Sequence, residues 1–243
     1  MRTLTLFVLA ALLTACQSEK PVVDQAKIIE GLETAYQQSA SAENQQKLLD
    51  AYMAYPTTFT AADTINANDT ARIGQYYFKA AKIHQQKGEN DQARSLIPKA
   101  TDMLAAGLYD PSSFRPNAIV ANDFVSACEL YASISPQDAN APTYLFRAAE
   151  TARSTQNFSK ALSLYDVIYQ KYPEYEKAPQ ALFLKGFTLD NDLKQHEQAK
   201  EIYESFLEKH PDNEFADDTK FLISNIGKSD DEIIKSFESE ETK

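Results

Sequence analysis

Apolar residues recur along this chain at helical intervals. Phe158, Ala161, Leu162, Tyr165, Ile168, Tyr169 and Tyr172 form one stripe, which ends at Pro173. His196, Ala199, Ile202, Tyr203, Phe206, Leu207 and His210 form a second, which ends at Pro211. Steps of three and four residues place such side chains on one face of a helix, and proline cannot continue it. Pro173 and Pro211 are 38 residues apart, as are Ala161 and Ala199. Upstream, Ala93, Ala127 and Ala161 follow one another at 34 residues. Before the two stripes, and again upstream near Ala93, come runs with small residues on one face: Leu145, Ala148, Ala149 and Ala152; Leu182, Gly186 and Leu189; Tyr77, Ala80 and Ala81. The pattern predicts repeated pairs of antiparallel helices. Small residues allow the two helices to touch, and Tyr and Phe fill the space between neighbouring pairs.

Other segments break the rhythm. Pro111 and Pro116 interrupt the first helix of a unit over 107–136, so that unit reads as degenerate. Leu48, Leu49, Tyr52 and Tyr55 precede Pro56 as a partial repeat. Residues 56–69, rich in Thr, Ala and Asn, read as a connector or short helix. Ser229 and Glu232 have the spacing of a capping box, opening a last short helix with Ile233, Ile234 and Phe237.

Composition supports helices over sheets. The chain is alanine-rich and valine-poor and has only 6 Gly in 243 residues, well below the usual share of about 7 %. That argues against β-sandwiches, barrels, Rossmann folds and P-loop enzymes. Lys and Arg number 24 against 35 Asp and Glu, for a net charge of −11. Phosphates repel such a chain, so nucleic acid is not an expected partner.

The N-terminus carries a different signal. Arg2 precedes an apolar run from Leu4 to Leu13, about half the roughly 20 residues that span a bilayer. Residues 1–15 therefore read as a signal peptide. Leu13, Thr14, Ala15 and Cys16 resemble the lipobox of bacterial lipoproteins, in which the cysteine is acylated and becomes the new N-terminus. The resemblance implies lipidation at Cys16 and a membrane anchor. Gln17 in place of Asp favours the outer membrane, facing the periplasm. Cys128, the other cysteine, then has no intramolecular partner and reads as a buried, inert thiol.

The repeated unit resembles the tetratricopeptide repeat, whose pattern runs W-x2-L-G-x2-Y, then A-x3-F, then P. Ala161 with Tyr165 and Pro173, and Ala199 with Tyr203 and Pro211, meet its second half. The resemblance is strongest over 141–226 and weaker over 70–106. It implies an all-α, tetratricopeptide-like helix-hairpin solenoid, a right-handed superhelix. The organisation read on this basis is a signal peptide at 1–15, a lipidated tether at 16–22, N-terminal helices and connector at 23–69, divergent repeats at 70–140, and two clear repeats with C-terminal caps at 141–243. More narrowly, 141–237 is similar to the repeat lipoproteins of Gram-negative envelopes, among them the BamD-type and YbgF-type proteins.

No catalytic arrangement stands out. His84, His196 and His210 have no Cys or second His three or four residues away, so neither a metal nor a cofactor is expected. The hydrolase, dinucleotide and phosphate-loop motifs are missing, and the chain reads as a non-enzyme. The repeats place Phe78, Phe146 and Phe183 at one position of three units, with Lys79, Lys82, Arg147 and Arg153 nearby. If these line a concave face, they form a groove for an extended peptide with apolar and acidic side chains. Asp63-Thr64-Ile65 and Asp69-Thr70-Ala71 resemble a periplasmic O-glycosylation sequon, which makes Thr64 and Thr70 candidate acceptors. The leading reading is a membrane-tethered interaction scaffold in envelope assembly or maintenance, binding an envelope protein or peptide segment. The alternative is a solute- or glycan-binding lipoprotein, which the absence of Trp weakens. The sequence fixes no oligomeric state.

Overall fold

The structure is a computed structural model that describes residues 24–59, 65–229, 231–232 and 234–235. Cys16 and Thr64 lie outside the described residues. Among those described, ten α-helices follow one another and no strand forms. They are α1 (Gln25–Gln38), α2 (Ala42–Ala54), α3 (Ala67–Gln86), α4 (Asn90–Ala105), α5 (Ala118–Ile134), α6 (Ala141–Ser154), α7 (Phe158–Lys171), α8 (Ala178–Phe187), α9 (His196–Lys209) and α10 (Ala216–Asn225). Each helix packs chiefly on its neighbours in sequence, so the molecule is an all-α helix-hairpin solenoid. Polar caps start several helices. Ser41, Asn66, Asn117 and Asn157 each accept a backbone N–H of the first turn through their side chains.

Two kinds of turn repeat, and together they define the unit. Within a hairpin, one residue takes a left-handed conformation: Gly88 between α3 and α4, Gln156 between α6 and α7, Lys194 between α8 and α9. The next N–H closes each turn at 2.8 Å, from Glu89 to His84, Asn157 to Ala152 and Gln195 to Leu189. Between units the loops are near copies. Ser135, Tyr172 and His210 end α5, α7 and α9 with φ of −136°, −128° and −133°. Pro136, Pro173 and Pro211 follow them, and Ala141, Ala178 and Ala216 open the next helices.

These loops correct the upstream frame. They put α5 in phase with α7 at 37 residues, not 34, so Phe124 rather than Ala127 takes the place of Ala161. Cys128, Tyr165 and Tyr203 then share one position in three successive second helices, each essentially without solvent exposure. Burial pushes the Cys128 thiol up to about 12, which keeps it protonated and unreactive.

The degenerate unit is a second helix without a first. Residues 106–117 form a compact loop in place of the missing helix, pinned by the Tyr109–Pro116 bridge. The Asp110 carboxylate accepts from the N–H and hydroxyl of both Ser112 and Ser113, at 2.6 to 3.0 Å. These bonds hold its pKa down at about 2. Gly107 abuts Ala71 of α3 so closely that a Cβ would not fit. At the C-terminus the capping box forms: Ser229 N–H donates to Glu232 at 2.8 Å, and Glu232 N–H donates back to the Ser229 hydroxyl at 3.4 Å. Ile233 and Phe237 lie outside the described residues.

Candidate functional site

Clefts open between the first helices of neighbouring hairpins at two places, α6 with α8 and α1 with α3. The cleft between α6 and α8, about 480 Å³, is lined by Glu150, Arg153, Phe158, Tyr165, Leu184 and Asp192, with Ser154 and Gln156 at its edge. The cleft between α1 and α3, about 330 Å³, is lined by Glu33, Tyr36, Leu48, Tyr52, Lys79 and Lys82, among others. Thus three of the four cations singled out in the sequence, Lys79, Lys82 and Arg153, line these clefts.

The aromatic residues do not. Phe78, Phe146 and Phe183 are 6 %, 3 % and 7 % exposed, so they do not form an open stripe. They share a position, as expected, but that position faces the interior. Phe146 meets Tyr165 and Tyr175 edge-on, and Phe183 stacks on Phe215 at 4.7 Å between ring centres. Shifting a helix frame by one residue turns a side chain by about 100°, enough to exchange a groove for a core.

Most of the cations are already engaged. Lys79 Nζ lies 2.6 Å from Glu33, whose other partner is the Tyr52 hydroxyl. Arg153 Nε lies 2.7 Å from Asp192, and its guanidinium covers the Phe187 ring at 4.9 Å. Arg147 sits over Phe124 at 5.1 Å and approaches Asp102 at 3.9 Å. Lys82 is the exception. It lies over the Phe78 ring at 5.6 Å and, among the described residues, makes no ion pair. The positions of α3 and α6 match 68 residues apart, so Lys82 corresponds to Glu150. Glu150 likewise has no ion-pair or hydrogen-bond partner among the described residues. Partial burial raises its pKa, and the charge of Lys177 partly offsets that.

An unusual feature that the sequence reading missed lies beside the α6–α8 cleft. The hydroxyls of Tyr165, which lines the cleft, and of Tyr203 are buried and have no hydrogen-bond partner among the described residues. Burial raises the pKa of both phenols, and the charge of Arg153 acts on both. Glu150 and Asp192 also act on the Tyr165 hydroxyl. Asp192 reaches this place because α8 ends in a π-turn, Thr188–Asp192, which also carries Asp190 to within 2.8 Å of His196. The turn absorbs one extra residue, so the α8–α9 hairpin is one longer than α6–α7. Such turns often mark functional positions.

Thr70 does not lie in a connector. It is in the first turn of α3, and its hydroxyl donates to the Asn66 carbonyl at 2.9 Å. Among the described residues, no three His, Cys, Asp or Glu side chains are placed to share a metal ion, and no helix is long and apolar enough to cross a membrane.

Residues 143–175 and 180–213 each match the tetratricopeptide repeat family. These spans are α6 with α7 and α8 with α9. The two hairpins are similar to tetratricopeptide repeats. The cleft at Arg153 therefore opens between the first helices of the two matched hairpins. No curated protein matches the chain.

Proposed function

We propose that this chain is a tetratricopeptide interaction scaffold that holds an extended segment of a partner protein along the face formed by its first helices. The observation that carries this reading is the pair of clefts between first helices, at Lys82 and at Glu150. Each has apolar walls beside a charged side chain that makes no ion pair among the described residues. An extended chain can lie along successive clefts of a solenoid and place one side chain in each. The acidic-peptide preference inferred from the cations narrows accordingly: it rests on Lys82 alone.

The N-terminal motif supports a place for this scaffold. Acylation at Cys16 would tether the repeats to the outer membrane, facing the periplasm, where they would serve envelope assembly or maintenance as in the similar repeat lipoproteins. A solute- or glycan-binding lipoprotein is the alternative. The clefts favour it less, because their exposed walls hold few aromatic faces on which a sugar could stack. Photo-crosslinking residues placed at positions 82 and 150 in the native host, followed by mass spectrometry, test the scaffold. A protein captured at both positions supports it, and capture of none at either overturns it. Cys16→Ser tests the anchor. The protein should lose its acyl mass and leave the membrane fraction; unchanged fractionation would reject the tether.

A further inference from the structure

We infer that the α6–α8 cleft is a subsite for a basic side chain, lysine or arginine, of the bound segment. This deepens the scaffold reading and rests on it.

The argument begins with charge. Of the cleft's three charged side chains, Arg153 and Asp192 pair with each other at 2.7 Å. Glu150 remains, with no ion pair among the described residues; Lys177, whose ammonium lies over the Phe146 ring at 5.2 Å, offsets its charge only in part, so the cleft keeps a negative excess. Its pKa is raised by burial, meaning that the carboxylate gives up part of its hydration here. A cation arriving from a partner would restore that loss.

Shape agrees with charge. Phe158 and Leu184 are half-buried apolar walls. The methylene stem of Lys or Arg lies well on such walls while its head reaches a carboxylate. Beneath the floor, the Tyr165 hydroxyl has an unused acceptor near Glu150. A carboxylate or phosphate would instead meet the Glu150 carboxylate at close range and be repelled. The cleft at α3 has the opposite sign, since Lys82 stands where Glu150 does. The two subsites therefore differ in the charge they accept, and a segment that fits both has a fixed direction along the face.

The experiment is selection of random twelve-residue peptides displayed on phage against the full chain. One recovered peptide is then measured as a synthetic peptide against native protein and Glu150→Gln, with melting curves for both. The inference expects Lys or Arg in nearly all recovered peptides. Replacing that residue by norleucine, or Glu150 by Gln, should weaken binding about tenfold, and combining the two should add little. Glu150→Gln should melt like the native protein. Recovered peptides without basic residues, or affinities equal within twofold across the variants, would overturn the inference and leave the scaffold standing. If no peptide is recovered at all, the scaffold reading falls, and this inference with it.

Discussion

Gly186 of α8 faces the Tyr203 ring of α9 so closely that an added Cβ would come within 2.7 Å of the ring carbon Cε1. Tyr203 is fully buried and sits among Phe183 and its neighbours, so the ring cannot retreat. Gly186→Ala should therefore destabilise the protein by about 1–3 kcal/mol, despite alanine's better helix propensity. Ala161→Leu and Ala199→Leu, at fully buried positions, should cost about as much. Thermal unfolding of the three variants measures this. A Gly186→Ala protein melting at or above the native temperature would contradict the close approach.

The two orphaned tyrosine hydroxyls predict the opposite sign. A buried polar group without a partner costs about 1–3 kcal/mol. Tyr203→Phe removes that group and keeps the ring, so stability should rise by about 1 kcal/mol. Tyr165→Phe should do the same for stability. Denaturant titration would show it, and a fall in midpoint for both variants would mean that the hydroxyls are satisfied.

Glu33 links α1 to α3 through Lys79 and so ties the N-terminal hairpin to the solenoid. Burial pushes its pKa up, but the hydrogen bonds from Lys79 and Tyr52 outweigh this and leave it below the usual carboxylate value. The unfolded chain then binds the proton more readily than the folded one, so this contribution is complete above the ordinary carboxylate range and disappears as pH falls through the folded value. Native protein should lose stability on acidification faster than Glu33→Gln. Melting temperatures from about pH 6 down to about pH 3 test this, and parallel curves would refute it.

Phe114 is 80 % exposed and has φ of 54°, a left-handed conformation that bulky side chains avoid. The Asp110 bonds and the bridge across 109–116 enforce it. Glycine adopts this conformation without strain. Phe114→Gly should raise stability by about 1 kcal/mol, read as a higher melting temperature. No gain would mean that the exposed ring makes up for the strain through contacts along the loop.

Much of this fold could be read from spacing. Pro173, Pro211 and the small residues at 149, 161, 186 and 199 mark helix ends and close approaches, because those constraints act within one turn or one hairpin. Pro136 carries the same signal, but the 34-residue interval from Ala93 obscured it. The replacement of a helix by the 106–117 loop breaks that interval. The candidate site was less legible. Lys79 finds Glu33 and Arg153 finds Asp192 across 46 and 39 residues, pairings that no local pattern reveals. The faces of Phe78, Phe146 and Phe183 depended on a helical phase that one residue can reverse. The orphaned hydroxyls had no sequence signal, since tyrosine at that position looks like an ordinary aromatic filler.

The π-turn at Thr188–Asp192 gives the stack a tolerance for changes in length. An added residue in a regular helix would rotate everything after it by about 100°, bringing polar side chains into the interior. Here the surplus residue is taken up in a single wide turn, and α9 re-enters in the same phase as α7. Ala199 and Tyr203 land where Ala161 and Tyr165 do. A single-residue insertion is thus confined to its own hairpin. Its only outward trace is a slightly larger ring of backbone at the cleft, and this ring carries Asp190 and Asp192. A change in length has become a change in the chemistry of one surface, and the order of the repeats is unaffected.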